Sequence, residues 1–326
     1  MTESSEKTKA AESDCETSKR MLGKTDIRLA PVGLGCWPIA GMTSLNVNDQ
    51  DSIRTVQMAL DNGINMLDTA YGYGADGQSD RLIRKSIAGR REQVVIASKA
   101  GMHWKPDGNR CFDASPGRII QECEESLLRL GVEAIDLFYL HAVDPNIPIQ
   151  ESAKAFASLL SQGKIRSVGV SNVTAEQLIL FDAVCEVAAV QPPFNMLQRQ
   201  IETDLIPLCL ERSISVINYW PLMKGLLAGK IRRGHEFDPA DKRLTYDVFQ
   251  GEQFEQAQTL LDGVEKIANE IDKTVAQVVV NWTIHRPGIT ATLCGAKRDW
   301  QILETAGAMG WRLDDSQIEK IDRLLA

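Results

Sequence analysis

Short apolar runs alternate with amphipathic stretches along most of this chain, and that alternation restricts the fold more than any other feature. The runs lie at 31–35, 64–67, 94–98, 135–140, 165–170, 187–190, 214–217 and 291–293. Strands separated by helices pair in parallel. Eight such units within 326 residues predict an α/β fold, a parallel eight-stranded (β/α)8 TIM barrel, rather than an open sheet.

Several helices between these runs carry signals at their ends. Ser115-Pro116 combines an N-cap with a proline at the first helical position. The pairs Thr174/Gln177 and Thr274/Gln277 match capping boxes. We also expect extra C-terminal helices, at about 299–308 and 316–325. A long loop after strand 7, at 232–253, has a length typical of a functional or disordered segment.

Composition divides the chain into two parts. Residues 1–20 are charged and nearly free of large apolar side chains, so we predict a disordered N-terminal tail. Residues 21–326 show no break in composition, and we predict a single barrel domain there.

The overall charge and the cysteine pattern argue against several functional classes. Asp and Glu number 44 against 36 Lys and Arg, a net charge of −8, which disfavours nucleic-acid and anionic-membrane binding. No apolar run approaches the roughly 20 residues of a membrane span, and the N-terminus lacks the apolar segment of a signal peptide. Seven cysteines without a C-x-x-C pair and four histidines without ligand spacing predict a cytoplasmic protein with reduced thiols and no metal.

Polar side chains follow the apolar runs where the predicted strands end. They are Asp68, Lys99, His141, Ser171, Asn172, Gln191 and Tyr219, with Gly295 after the last run and Tyr73 on the loop after the second. Each alone has a structural explanation, as a helix cap, a surface charge or a core residue. Because all strand C-termini of a barrel face one opening, we expect these residues to converge on one site.

Four of these residues suit proton transfer to a carbonyl oxygen. A phenol titrates near 10, and a neighbouring ammonium lowers that pKa. We expect Lys99 to act in this way on Tyr73, with Asp68 keeping Lys99 protonated and aimed. His141 can donate a hydrogen bond to the substrate oxygen. Nothing in the sequence looks like a group that attacks the carbonyl carbon, so we infer a cofactor that donates hydride.

The remaining strand-end residues suit a nicotinamide cofactor. Ser171, Asn172 and Gln191 can hydrogen-bond a carboxamide, and Tyr219 can stack on a flat ring. Lys297 and Arg298 follow the last strand and precede a helix, a position where barrels often bind phosphate. This pair can hold a 2′-phosphate, which favours NADPH over NADH, although an ordinary solvated basic pair looks the same in sequence.

The glycines around Tyr73 also match the G-x-G-x-x-G pattern of an open dinucleotide-binding sheet, at 72–77. That fold requires an acidic residue at the end of the next strand, where this chain has Ser98-Lys99. It also requires glycines directly after the preceding strand, whereas here they begin four residues past the strand end. We therefore interpret these glycines as letting the loop turn sharply around Tyr73.

The motifs, in their order and spacing, resemble the aldo-keto reductases and are similar to the bacterial NADPH-dependent stress-type members. They are LGCW (34–37), LDTAYGYG (67–74), ASKAG (97–101), LLRLGVEAIDLFYLH (127–141), GKIRSVGVSN (163–172), VQPPFN (190–195), NYWPLMKGLLAGK (218–230) and GAKR (295–298). The resemblance spans about 21–326. It implies a (β/α)8 barrel that reduces a small-molecule aldehyde or ketone with NADPH and is a monomer.

The resemblance also implies roles for individual residues. It implies that Tyr73 is the general acid/base, that Lys99 and Asp68 together tune the pKa of Tyr73, and that His141 orients the carbonyl. The implied cofactor residues are Ser171, Asn172, Gln191, Tyr219, Trp220, Leu222, Lys224, Gly295, Lys297, Arg298 and Gln301. The loop at 232–253 is expected to fold over the cofactor.

Four positions depart from the family pattern: Ala142, Val173, Trp220 and Thr305. Trp220 and Thr305 bear on how the cofactor is held, and Ala142 on the width of the substrate pocket. Trp37 and Trp104 are expected to wall that pocket, although indoles serve as often in ordinary packing.

Two other functions stay open at this point. Lys99 at a barrel strand end suits a Schiff base of an aldolase-type lyase, which reductive trapping with borohydride and a carbonyl substrate would reveal. A non-catalytic NADPH-binding sensor or subunit would keep the same four residues, and turnover of an aromatic aldehyde distinguishes it from an enzyme.

Overall fold

Eight parallel strands close into one barrel in this computed structural model, which describes residues 19–42, 45–105, 107 and 109–325. The barrel strands are β1 (Val32–Gly35), β2 (Met66–Asp68), β3 (Val95–Ala100), β4 (Leu137–Leu140), β5 (Val168–Ser171), β6 (Ala189–Gln191), β7 (Ser215–Tyr219) and β8 (Ile289–Gly295). Neighbours in the barrel are neighbours in the chain, and β8 closes on β1 through the pairs Thr292↔Val32 to Gly295↔Gly35. The predicted (β/α)8 barrel is confirmed.

Ten α-helices surround the barrel in the described part of the chain. They are α1 (Asp49–Asp61), α2 (Gln78–Ser86), α3 (Pro116–Leu130), α4 (Ile149–Ser161), α5 (Ala175–Asp182), α6 (Leu205–Arg212), α7 (Gly251–Glu270), α8 (Val275–Ile284), α9 (Asp299–Ala306) and α10 (Asp315–Leu324). The two predicted capping boxes are present at the starts of α5 and α8. The last two helices are the predicted C-terminal pair. Among the described residues no helix is long and apolar enough to cross a membrane.

An N-terminal hairpin, Arg20–Met21 paired with Arg28–Leu29, precedes the first barrel strand. Its Leu22 and Leu29 are fully buried in the same cluster as the residues that fill the barrel interior. The Arg20 guanidinium donates hydrogen bonds to the carbonyls of Ile284, Ile289 and Thr290. The predicted tail lies outside the described residues up to position 18, and its last residue, Arg20, belongs to this hairpin.

A second hairpin follows β3, and the sequence pattern did not indicate it. Met102–Trp104 pairs with Arg110–Phe112 in antiparallel register, and we call this element the rim hairpin. Its strands are too short to show a period of two, so the segment reads as a loop in sequence.

The long segment after β7 has more structure than its polar composition indicated. It contains two short 3₁₀ turns, Lys242–Thr245 and Asp247–Phe249, before α7 begins. Val248 and Phe249 are buried, and the Phe249 ring meets the Phe237 ring edge-on at 5.8 Å. These contacts attach the segment to the core and hold its polar side chains near the barrel opening.

Candidate active site

The site lies where the inward-facing side chains of the barrel strands change from apolar to polar. Successive side chains of a strand point to opposite faces, so Val95, Ala97 and Lys99 share one face of β3. The first two fill the barrel interior, and Lys99 ends the series at the opening. In β2, likewise, the inward-facing side chain changes from the apolar Met66 in the barrel interior to Asp68 at the opening. The sequence folds this way because alternate positions of each strand must fill one narrow interior.

Lys99 connects the strand-end residues around it. Its ammonium donates to Asp68 Oδ1 at 2.5 Å, to the Thr69 carbonyl at 2.9 Å and to the Tyr73 hydroxyl at 3.3 Å. Lys99 is 1% exposed, so this charge exists in a low-dielectric environment only because an anion and two dipoles face it. The structure therefore brings together three of the four residues predicted to handle the proton.

The pKa values show which protonation states this geometry favours. Burial lowers the pKa of Lys99, but Asp68 and Tyr73 raise it by more, so the amine stays protonated. Burial raises the pKa of the Tyr73 phenol, and the opposing effect of Lys99 does not cancel that rise. Lys99 therefore acts on this pKa in the expected direction, by lowering it, but burial raises the pKa by more. The phenol is a neutral hydroxyl that is ready to donate.

His141 lies beside the Tyr73 phenol, with 5.9 Å between the two ring centroids. Burial, together with the charges of Lys99 and Arg110, lowers the pKa of His141 well below its ordinary value. The imidazole is therefore neutral and has one N–H to donate. Its Nδ1 is buried without a hydrogen-bond partner in the described part of the chain.

The residues predicted to hold a carboxamide form one hydrogen-bonded chain beside this group. Ser171 donates its hydroxyl to the Gln191 carbonyl at 2.8 Å, and Asn172 donates to Ser171 Oγ at 3.0 Å. The Tyr219 hydroxyl donates to Asn172 Oδ1 at 2.8 Å. Gln191 Nε2 donates to Asp68 Oδ2 at 2.8 Å, so this amide nitrogen orients Asp68, a contact that the sequence did not indicate.

The loop after β7 has an unusual backbone. Trp220, Met223 and Lys224 all have left-handed φ values, of 61°, 41° and 54°, and Gly225 follows at 93°. Non-glycine residues rarely adopt this conformation, and such strain concentrates at functional sites. Leu222 accepts backbone hydrogen bonds from Gly225 and Leu227 at 2.8 and 3.1 Å, which hold the turn in shape.

Lys224 lies between two aromatic rings at this loop. Its ammonium is 3.6 Å from the Trp220 ring centroid and 4.1 Å from that of Tyr246, in the segment after β7. Burial, and then the charge of Arg110, lowers its pKa to about 8. The structure therefore joins Trp220 and Lys224 into one contact group and adds Tyr246 to it.

The predicted phosphate-binding residues follow β8, directly after Gly295. Lys297 donates through Nζ to the Leu45 carbonyl at 3.0 Å, and Arg298 donates to the Asn46 carbonyl at 2.7 Å. Arg298 also pairs with Asp51 at 3.0 Å. Both basic residues thus lie together at the opening, against the loop that leads into α1.

A third cation joins this pair from the segment after β7. Arg243 lies near enough that its charge, after burial and Arg298, lowers the pKa of Lys297. Arg243 Nε donates to both carboxylate oxygens of Asp241, at 3.0 Å each. The guanidinium also lies beside the turn after β7, since a Cβ added at Gly225 would be 3.7 Å from Arg243 Nη1. Gln301 accepts a hydrogen bond from the Lys297 backbone at 2.9 Å. The sequence did not indicate Arg243, since its segment has no periodicity.

Two tryptophans stand beside Tyr73, as predicted for a pocket wall. The Trp37 ring meets the Tyr73 ring edge-on at 5.1 Å. Trp104 donates its indole N–H to the Gly72 carbonyl at 2.6 Å. A Cβ at Gly72 would lie 2.9 Å from the Met102 carbonyl, so glycine is required for the rim hairpin to approach the Tyr73 loop this closely.

Asp80, buried beneath the Tyr73 loop, gives a pH-dependent stability prediction. Burial raises its pKa from 3.8 to about 7, against a hydrogen bond from Thr69. Between these values the folded protein keeps a proton that the unfolded chain releases, so the free energy of unfolding falls as pH rises through that window. In Asp80→Asn we expect no such fall. The free energy of unfolding of the variant, compared with that of wild type, should therefore increase across this window, by up to about 4 kcal/mol at pH 7.

Urea unfolding at pH 4.5 and pH 7.5 measures this effect. Asp76→Asn is the matched control, because Asp76 is an exposed aspartate on the Tyr73 loop, just before the helix that carries Asp80. A constant difference in stability between wild type and Asp80→Asn at the two pH values would contradict the prediction.

Comparison with known proteins places this geometry in a family. The aldo/keto reductase family model matches residues 31–326. The chain therefore belongs to the aldo/keto reductase family. An aldo-keto reductase of Bacillus subtilis is 35% identical over 308 residues, covering 93% of this chain and 92% of that protein. An NADH-specific methylglyoxal reductase of Escherichia coli is 33% identical over 310 residues, covering 90% and 94%.

Solved structures agree with this assignment. A glycerol dehydrogenase of Gluconobacter oxydans superimposes with a TM-score of 0.88 at 36% identity and 95% coverage of both chains. An aldo-keto reductase of Bacillus halodurans, at 23% identity and a TM-score of 0.79, supports the fold alone. Family membership makes this aldo/keto reductase an oxidoreductase of carbonyl compounds that uses a nicotinamide cofactor. Among the described residues no group of His, Cys, Asp and Glu is arranged to hold a metal ion.

Proposed function

We propose that this aldo/keto reductase is an NADPH-dependent reductase of aldehydes or ketones, with Tyr73 as general acid. The observation that carries the proposal is the buried contact of Lys99 with Asp68 and the Tyr73 hydroxyl, at 2.5 and 3.3 Å. A neutral phenol beside a permanent ammonium, facing a neutral imidazole, is suited to protonate an oxygen on which negative charge develops.

The residues present fit NADPH. Lys297, Arg298 and Arg243 form a cation cluster at the C-terminal end of β8, where barrel folds often bind phosphate. Arg243 and Arg298 each pair with a carboxylate, Asp241 and Asp51, whereas the Lys297 ammonium donates to the Leu45 carbonyl and has no ion-pair partner among the described residues. Lys297 is therefore the cation of this cluster that is best placed to bind a 2′-phosphate. The left-handed turn around Lys224 offers backbone N–H groups and a cation to the pyrophosphate.

The protein's own residues then carry out the proton chemistry. A bound nicotinamide cofactor supplies the hydride. His141 donates a hydrogen bond to the carbonyl oxygen and fixes its direction. Tyr73 Oη gives its proton to that oxygen, and the protonated Lys99 stabilises the phenolate that is left. Asp68, held by Lys99 and Gln191, keeps the ammonium charged and aimed. Trp37 and Trp104 help to exclude water from one side of this group.

Of the two rival functions, the lyase receives less support. A Schiff base needs an uncharged amine, whereas the Lys99 ammonium donates to three acceptors and its pKa is raised. A non-catalytic sensor would keep the same four residues, so turnover of an aromatic aldehyde is the measurement that distinguishes it from the reductase. We further propose that residues 21–326 form a single domain and that the enzyme is a cytoplasmic monomer. The six described cysteines are unpaired, as in a reducing compartment.

Titration with NADPH and then NADH, followed by quenching of tryptophan emission, tests the cofactor assignment. We expect saturable binding of NADPH at concentrations where NADH binds weakly, and NADPH-dependent reduction of 4-nitrobenzaldehyde. Equal binding of both cofactors would contradict the NADPH preference, and so would tighter binding of NADH, the cofactor named for the relative of Escherichia coli. Binding without turnover would favour the sensor, and binding of neither would overturn the proposal.

A further inference from the structure

We propose that Arg110 binds an anionic group of the substrate. The preferred substrates are then aldehydes or ketones that carry a carboxylate or phosphate away from the carbonyl. This inference rests on the proposed function, because it names the substrate class of the same site.

The rim hairpin holds Arg110 at the opening. Arg110 is paired directly across the hairpin with Trp104, and opposite residues of an antiparallel pair lie side by side. Trp104 is in turn anchored to the Tyr73 loop by its 2.6 Å hydrogen bond to Gly72. The position of Arg110 relative to Tyr73 is thus fixed by two successive contacts.

Two indole rings orient the guanidinium. Its central carbon is 5.7 Å from the Trp37 ring centroid and 5.4 Å from the Trp104 centroid. Trp37 also contacts the Tyr73 ring, so one indole ring contacts both the Arg110 guanidinium and the ring of the proposed proton donor. Aromatic contacts hold a guanidinium through its face and leave the N–H groups at its edge free for an oxyanion.

The charge of Arg110 is not neutralised by the described residues. No carboxylate is within ion-pair distance of it among them, and its side chain is exposed. Its charge is felt inside the site, since it contributes to the lowered pKa values of His141 and Lys224. The Asp68 carboxylate beside Tyr73 is already engaged by Lys99 and Gln191, and Asp241 and Asp51 are paired with Arg243 and Arg298. The opening is therefore electropositive although the whole chain carries a net charge of −8.

A pair of nearly isosteric substrates tests the proposal. For wild type we expect a higher kcat/KM with 4-carboxybenzaldehyde than with its neutral methyl ester, methyl 4-formylbenzoate. In Arg110→Met, which keeps length and packing on the indoles, we expect the ratio of the two kcat/KM values to fall about 10- to 100-fold. The loss should be in KM, because Arg110 contacts the substrate away from the reacting atoms. Arg110→Lys should restore part of the ratio.

Controls separate this inference from the proposed function. Lys105→Met removes a cation from the same hairpin and should leave the ratio unchanged. D-glyceraldehyde 3-phosphate compared with D-glyceraldehyde decides between phosphate and carboxylate as the preferred anion. Quenching of tryptophan emission by 4-(hydroxymethyl)benzoate should also disappear in Arg110→Met. A ratio that is the same in wild type and Arg110→Met for both substrate pairs overturns the inference, whereas failure of wild type to reduce any of the four aldehydes overturns the reductase proposal itself.

Discussion

Replacing Tyr73 with phenylalanine is expected to lower kcat for carbonyl reduction by about 10²- to 10⁴-fold, the contribution of a positioned general acid. The substitution removes one hydroxyl, which contacts Lys99 at 3.3 Å, and leaves the ring that packs edge-on against Trp37. The cation cluster after β8 and the loop after β7 are untouched, so the dissociation constant of NADPH should not change. Steady-state kinetics and cofactor titration together measure the two effects.

Tyr71→Phe is the matched control for this experiment. Tyr71 is on the same loop, but its hydroxyl donates to Glu125 of α3 at 2.8 Å, away from Lys99. We expect near wild-type turnover in that variant. If Tyr73→Phe kept its turnover, another group would have to supply the proton, and the role proposed for Lys99 would lose its basis.

Lys297→Ala is expected to weaken NADPH binding by about 10- to 100-fold, the value of one or two charge-assisted hydrogen bonds. NADH lacks the 2′-phosphate, so its binding should change little. The structure points to Lys297 within the cluster because Arg243 and Arg298 already face carboxylates. Fluorescence titration of wild type and variant with both cofactors provides the comparison.

Salt gives a second test of the same contact. A phosphate–ammonium pair at a partly open site is screened by ions, so the preference for NADPH should decrease at high ionic strength in wild type and should be nearly constant in Lys297→Ala. Lys320→Ala removes an exposed lysine that pairs with Glu270 and serves as the charge-matched control. Equal losses of NADPH and NADH affinity in Lys297→Ala would show that this residue does not bind the 2′-phosphate.

The barrel follows from local information in the sequence. Apolar runs that end at glycines, caps and polar residues specify strands and helices one after another, and their alternation specifies parallel pairing. The convergence of Asp68, Lys99 and His141 follows from the same rule, since all strand ends of a barrel share one opening. The structure brings these residues together, while their roles stay predictions.

Other features depended on segments without periodicity. The rim hairpin and the segment after β7 carry Arg110, Arg243 and Tyr246 to the opening, and no pattern in the sequence indicates which of their charges face the site. Their positions depend on contacts between residues distant in the chain, such as Trp104 with Gly72 and Tyr246 with Lys224.

The sequence by itself determined the fold class, the family and the set of polar residues at the strand ends, because each is encoded in short patterns along the chain. Only the tertiary structure decided the net direction of the Tyr73 pKa and the partner of Gln191. A pKa depends on how completely water is excluded and on the distances to every nearby charge. Those quantities arise only when the barrel, the Tyr73 loop and the rim hairpin are packed together.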